Sequence, residues 1–420
     1  MSSSALVVVA AVFLGYAAVS RRLHGTSLTA PIVFVGAGLL FGPQALGWLD
    51  VALDEQSVST LAEATLVVVL FTDASRIDLR ALRREYTVPA RLLGIGLPLT
   101  IAAGSIAGAF MLPNILWAEA LVLAIVLAPT DAALGQAVVT DAALPSRIRQ
   151  GLNVESGLND GLCVPLLTIA IALAQTEADE TTAADAVRLV FEAIGWGIVG
   201  GVAAGGVAAC VLRVARAHGW MEGHWAQVVP VVGAAGSFGI ADHLGGSGFI
   251  AAFVGGVVFG VAARRQSSAL FAEELGGVLN GITLIMFGAA VLGALWSAIG
   301  ATELAYAVVS LTVVRMIPVA IAMLGSRARA PTVLFLGWFG PRGLASIVFG
   351  VVVVEAAGLP HTSDIIAALT ATVALSVVAH GVTAAPLVRR YVVWHDARKA
   401  PMESAPTPEQ RWRHGALAPR

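Results

Sequence analysis

Apolar runs of about 20 residues, the length that crosses the hydrocarbon of a bilayer, recur almost without pause from residue 4 to residue 390. Nothing else constrains the chain as much. The runs fall at 4–20, 28–49, 57–75, 88–111, 116–139, 149–174, 187–213, 225–243, 247–263, 272–297, 302–324, 331–355 and 363–390. With 57% of residues hydrophobic and only 12% charged, a soluble globular chain is excluded, and an all-α polytopic membrane protein of thirteen spans is expected. A net charge of −2 excludes binding driven by nucleic-acid phosphates. Cys163 and Cys210 both lie in apolar stretches, so neither a disulfide framework nor a cysteine metal site is expected.

The basic residues test the span count independently, because Lys and Arg beside membrane spans gather on the cytoplasmic side. All of the 25 except Arg188, Arg315 and Arg342 fall in every second connection, beginning with Arg21 and Arg22. The intervening loops are acidic, as at Asp50, Asp54 and Glu55, or Glu177, Asp179 and Glu180. This alternation predicts an external N-terminus and a cytoplasmic C-terminus. The first run lacks a basic leader and its arginines follow it, so a retained helix is expected rather than a cleaved signal. Residues 393–420, rich in Pro and charge, read as a short disordered tail, and no soluble nucleotide-binding domain is expected after it.

Charge at the centre of a bilayer costs roughly 2.5–3.5 kcal/mol on insertion scales, so groups placed there are usually paired or functional. Arg315 and Arg342 are the basic residues at that depth, against the acids Glu63, Asp73, Asp131, Glu155 and Asp160. The surplus is negative and suits a cationic cargo.

Two spans are interrupted. The fifth carries Ala128-Pro129-Thr130-Asp131-Ala132, where proline removes a helical hydrogen bond, and the twelfth carries Gly337-Trp338-Phe339-Gly340-Pro341-Arg342-Gly343. They lie seven spans apart, an odd number, so they run in opposite directions. Matched interruptions in inverted halves point to a transporter's binding site, although no residue-level repeat is visible. Each break exposes half-helix ends that need compensating charge, which Asp131 and Arg342 can supply. The plain alternative is a pair of ordinary proline kinks.

In the sixth span, Ser156 and Asp160 share one helical face, and Glu155 and Asn159 the adjoining one. Hydroxyl, carboxylate and carbonyl oxygens are the ligands that hard cations take. A purely structural polar network, with Arg315 as a member, is the competing reading. His380 in the last span reads as a packing histidine. Gly245, Gly246, Gly248, Gly255, Gly256 and Gly260 fit close helix contact better than a phosphate loop.

Four of these markers together resemble the sodium/proton exchanger branch of the monovalent cation:proton antiporters, prokaryotic type. They are Leu70-Phe71-Thr72-Asp73-Ala74-Ser75-Arg76-Ile77-Asp78, Pro129-Thr130-Asp131, Glu155-Ser156-Gly157-Leu158-Asn159-Asp160-Gly161 and Gly340-Pro341-Arg342-Gly343, in that order along the chain. The resemblance implies inverted repeats and two crossing broken helices, spans five and twelve. It also implies an ion-transporting core at 87–179 and 301–392, moving against dimerisation helices at 1–86 and 180–300. It places the ion on Asp160 with Glu155, Ser156 and the Thr130 backbone, Asp131 nearby, and no cofactor beyond the transported Na⁺ or H⁺. The Asn159-Asp160 pair implies electroneutral exchange. Asp73 and Arg315 would clamp Asn159, although the branch often carries glutamate at the Asp73 position and Glu63 competes for that role.

The implied function is secondary antiport in the plasma membrane rather than enzymatic catalysis, serving pH homeostasis, with a homodimer as the assembly. A desolvated carboxylate is unfavourable as a bare anion, so one proton or one cation would occupy Asp160 in turn. Sodium is the family expectation, K⁺ the alternative and Li⁺ open. A cation channel and a non-transporting scaffold are the rivals from other classes.

Overall fold

The computed structural model describes residues 3–23, 25–49, 55–77, 87–131, 133–139, 141–263, 269–356, 358–398 and 401–404. Among these the secondary structure is helical, with no strand. Arg80, Arg83, Arg84, Arg264, Arg265, Lys399, Arg411, Arg413 and Arg420, with Asp50, Asp54 and Asp78, lie outside the described residues.

Each apolar run contains helix, because an apolar segment must satisfy its own backbone before it can leave water. The chain begins with α1 (Ser3–Leu23), α2 (Ala30–Phe41), α3 (Glu55–Ser75) and α4 (Thr87–Met111), the last with a π turn at Leu92–Gly96. The fifth run divides into α5 (Trp117–Val126) and the short α6 (Gln136–Val139). Then come α7 (Ser146–Glu177), α8 (Ala183–Ala217), α9 (Gly223–His243), α10 (Gly248–Ala263), α11 (Leu270–Leu295) and α12 (Ala301–Ala322). The twelfth run divides into α13 (Ala330–Trp338) and α14 (Leu344–Glu355), and α15 (Thr362–Arg398) closes the series. By length and composition α1, α4, α7, α8, α11, α12 and α15 can each cross a membrane. The protein is a multi-pass membrane protein.

Packing sorts the helices. α8, α9, α10, α11 and α3 pack closely among themselves, with α2 against α11. α4, α5, α7, α12, α13, α14 and α15 form the other group, which α3, α8 and α10 touch through α7, and α3 also through α14. Small residues allow the closest approach: a Cβ on Gly205 of α8 would run into the backbone of α10 at Gly255. Gly256 and Gly260 face the backbone of α3 in this way, and Gly255 faces the Ser237 side chain, as packing residues do.

The tail differs from expectation. α15 runs on to Arg398, and residues 401–404 form a turn in which Glu403 is buried. Glu403 accepts hydrogen bonds from the Arg329 amide at 3.0 Å and the Thr332 hydroxyl at 2.7 Å. It thereby caps the start of α13 from a distant point in the chain, as a carboxylate in the first turn would. A compositional reading of Pro and charge gives no sign of such a docked carboxylate.

Candidate functional site

Both interruptions lie in the second group of helices, and they cross. α5 stops because Pro129 can neither donate to the preceding turn nor fit against it. α13 ends at Trp338, and Gly340-Pro341-Arg342-Gly343 runs unwound until α14 begins. The Asp131 amide donates to the Pro341 carbonyl at 2.7 Å, joining one unwound stretch to the other by backbone.

Each break is then compensated by the charge of its partner. Arg342 Nη1 donates to the carbonyls of Ala128 and, at 2.9 Å, of Pro129, the negative end of α5. Asp131 Oδ2 accepts from the Leu344 amide at 2.8 Å, at the positive start of α14. Its Oδ1 takes the Ala133 and Leu134 amides at 2.7 and 3.2 Å. Gly343 stands against the Asp131 carboxylate and Gly340 against the Arg315 guanidinium, where any Cβ would collide. The arrangement is crossed: each charge serves the break in the other span.

α7 presents the sixth-span residues to this crossing, with Glu155, Ser156, Asn159 and Asp160 all buried. Ser156 Oγ donates to the Thr130 carbonyl, and Asn159 Nδ2 donates to Thr130 Oγ1 at 2.7 Å. Glu155 Oε1 pairs with Arg315 Nη1 at 2.6 Å, both side chains 3% exposed. The expected clamp on Asn159 therefore takes a different form. Arg315 reaches Glu155, and the amide of Asn159 is held by Thr130. Helical spacing fixes which residues share a face, whereas the reach of Arg315 from α12 sets which of them it meets.

A cavity of about 340 Å³ opens beside the crossing. Asp160, Asp131 and Asp73 share its walls with Thr72, Glu273 and Asn280. It lies toward the ends of α1, α3 and α11 that carry arginine-rich connections, and Arg76 pairs with Glu273 there. Asp73 thus faces the same space as Asp160. Glu63, ten residues earlier on α3, instead hydrogen-bonds Glu355 at the end of α14, and the Ser59 hydroxyl donates to the same Glu355. A second, water-sized space of about 20 Å³ is lined by Thr130, Asp131, Ser156 and Pro341.

Three contacts had no counterpart in the motif reading. Ser376 of α15 accepts the Arg342 amide at 2.7 Å, and His380 reaches the Trp338 carbonyl. Glu119 at the start of α5 holds His361 through both its amide and its ring, at 2.9 and 2.8 Å. Polar residues one turn apart in an apolar span, as at Ser376 and His380, were the available signal.

The family model described as sodium/hydrogen exchanger, transmembrane, matches residues 8–390. The chain belongs to the sodium/hydrogen exchanger family. Among curated relatives, the K(+)/H(+) antiporter NhaP2 of Shewanella oneidensis is 25% identical over 344 residues, covering 78% of this chain and 57% of the relative. The sodium, potassium, lithium and rubidium/H(+) antiporter of Bacillus subtilis is 26% identical, over 62% of this chain and 39% of its own. The chain thus spans about half the length of the curated relatives it matches. Among solved structures, the sodium proton antiporter MjNhaP1 of Methanocaldococcus jannaschii aligns with a TM-score of 0.70 at 18% identity, over 90% of this chain and 98% of the other. The exchanger fold is shared at that distance.

Proposed function

We propose that the protein is a secondary antiporter that exchanges one monovalent cation for one proton across the plasma membrane, with both competing for Asp160. The observation that carries this reading is the single cavity in which Asp160 and Asp131 meet beside two crossing, oppositely directed broken spans. Family membership and the antiporters among its relatives support it.

In this reading Asp160 alternates between cation and proton. Glu155, Ser156 and the Thr130 carbonyl lie where supporting ligands are needed. Glu155 Oε2, buried and without a hydrogen-bond partner among the described residues, retains acceptor capacity toward a cation. Asp131 and Arg342 hold the crossing, and Asn159 fixes Thr130. Helices from 87–179 and 301–392 move as the core against those from 1–86 and 180–300, in a thirteen-span dimer with the N-terminus outside. The cavity then opens to the cytoplasm, and pH homeostasis is the physiological role.

Sodium is the cargo the family description favours. The S. oneidensis relative, named for K⁺, supports potassium as the second reading.

The test is a vesicle assay. Purified protein is reconstituted with an internal pH dye, and Na⁺, K⁺ or Li⁺ is added outside. Alkali-driven proton movement is expected, with Asp160→Asn silent although it runs as a single gel-filtration peak. Exchange retained by that variant would remove Asp160 from the carrier role. Current down a cation gradient without coupled proton movement would indicate a channel instead.

A further inference from the structure

Ser376 and His380 stand one turn apart on α15, so both side chains face the same neighbour. That neighbour is the interruption between α13 and α14. His380 Nε2 lies 2.9 Å from the carbonyl of Trp338, the last residue of α13. A carbonyl only accepts, so this bond forms in the tautomer whose Nε2 carries the hydrogen. On the far side of the break, the Arg342 amide donates to Ser376 Oγ at 2.7 Å. In that tautomer Nδ1 accepts from the Ser376 hydroxyl at 3.1 Å, and its 2.9 Å approach to the Ser376 carbonyl is a contact without a hydrogen.

The grip extends to Trp338 itself. Its indole Nε1 donates to Thr383 Oγ1 at 2.9 Å, and its ring lies 5.2 Å from the His380 ring. Ser376 and His380 are both almost wholly buried, at 0% and 2% exposure. An unwound stretch inside a membrane protein persists only where its freed backbone groups find partners. Here one helix face takes the closing carbonyl of α13 and an early free amide before α14. A histidine present for packing alone would need shape and no aligned donor.

We propose that Ser376 and His380 are a positioning pair for exchange: by fixing both ends of the break they place the Arg342 guanidinium on Ala128 and Pro129, and so set Thr130 and Asp131 relative to Asp160. The proposal rests on the antiport reading, and the pair touches neither cation nor proton.

The test compares His380→Leu, His380→Gln and Ser376→Ala in reconstituted vesicles, measuring half-saturating Na⁺ and maximal rate separately. Losing one such hydrogen bond is expected to raise the half-saturating concentration about fivefold in His380→Leu and Ser376→Ala, with a smaller change in maximal rate. The glutamine amide of His380→Gln can reach the Trp338 carbonyl and is expected to restore the unaltered value.

An unchanged half-saturation in a folded His380→Leu, or a His380→Gln as impaired as His380→Leu, would overturn the pair's role. Should His380→Leu not fold, Ser376→Ala decides: a raised half-saturation supports the pair's role, and an unchanged one overturns it. If the unaltered protein moves no protons, the antiport reading falls, and hydrogen exchange of the 338–344 peptide then judges the pair. Faster exchange in His380→Leu but not in His380→Gln supports it, and equal rates in all three proteins overturn it.

Discussion

Glu155 and Arg315 form an ion pair at 2.6 Å with both side chains buried, and this makes each dangerous to remove alone. A buried charge left without its partner typically costs about 3–5 kcal/mol. Glu155→Gln is therefore expected to lower the melting temperature of the detergent-purified protein markedly, with Glu155→Gln/Arg315→Gln recovering much of the loss. A thermal melt followed by tryptophan fluorescence checks both. At this scale the i, i+4 spacing of Glu155, Ser156, Asn159 and Asp160 marks two faces of one helix, and the structure buries all four. The spacing did not reveal their partners. Whether Arg315 meets Glu155 or Asn159 depends on how α12 is rotated against α7, and no spacing within either helix encodes that. Ser376 escaped notice because a serine in an apolar helix commonly bonds its own preceding turn, so its presence alone says little.

At the scale of elements, the interruptions were legible where proline and glycine forbid helix, and the helix limits followed the apolar runs. The crossing came from the family resemblance alone, because local sequence states that a helix must stop and is silent on what meets its freed ends. Gly343 gives the most direct check. A methyl group there would meet the Asp131 carboxylate and Leu134, so Asp131 must shift from the position in which it accepts the Leu344 amide. Gly343→Ala is expected to destabilise by about 1–3 kcal/mol, as overpacking does, and to raise half-saturating Na⁺ in vesicles. A melt and a flux titration on the same preparation measure the two effects. Truncation after Arg398 removes the Glu403 cap from α13 and is expected to cost about 1 kcal/mol. Glu403→Gln should fall between, read by the same melt.

For the whole molecule, membrane character and helical class were written in the apolar runs and the alternating arginines. The packing of the helices into groups was not, because glycine-lined contacts such as α8 with α10 depend on residues distant in sequence. The prediction that belongs here concerns stoichiometry. Asn159→Asp adds a carboxylate beside Thr130, and exchange by this variant in vesicles with a clamped membrane potential is expected to become potential-dependent. Unchanged behaviour would reject the rule that Asn159 sets electroneutral exchange.

The crossed compensation of the two breaks carries this further. Arg342 sits on the carbonyl end of α5 and Asp131 on the amide start of α14, equal and opposite charges on the two breaks, while Arg315 pairs with Glu155. In the proposed cycle the remaining sixth-span acid, Asp160, then carries whichever particle is transported. In that cycle, with Na⁺ or H⁺ aboard, these charges sum to zero, so an electric field across the bilayer would do no work on the travelling unit in either direction. Only the chemical gradients would then decide which way the cycle turns.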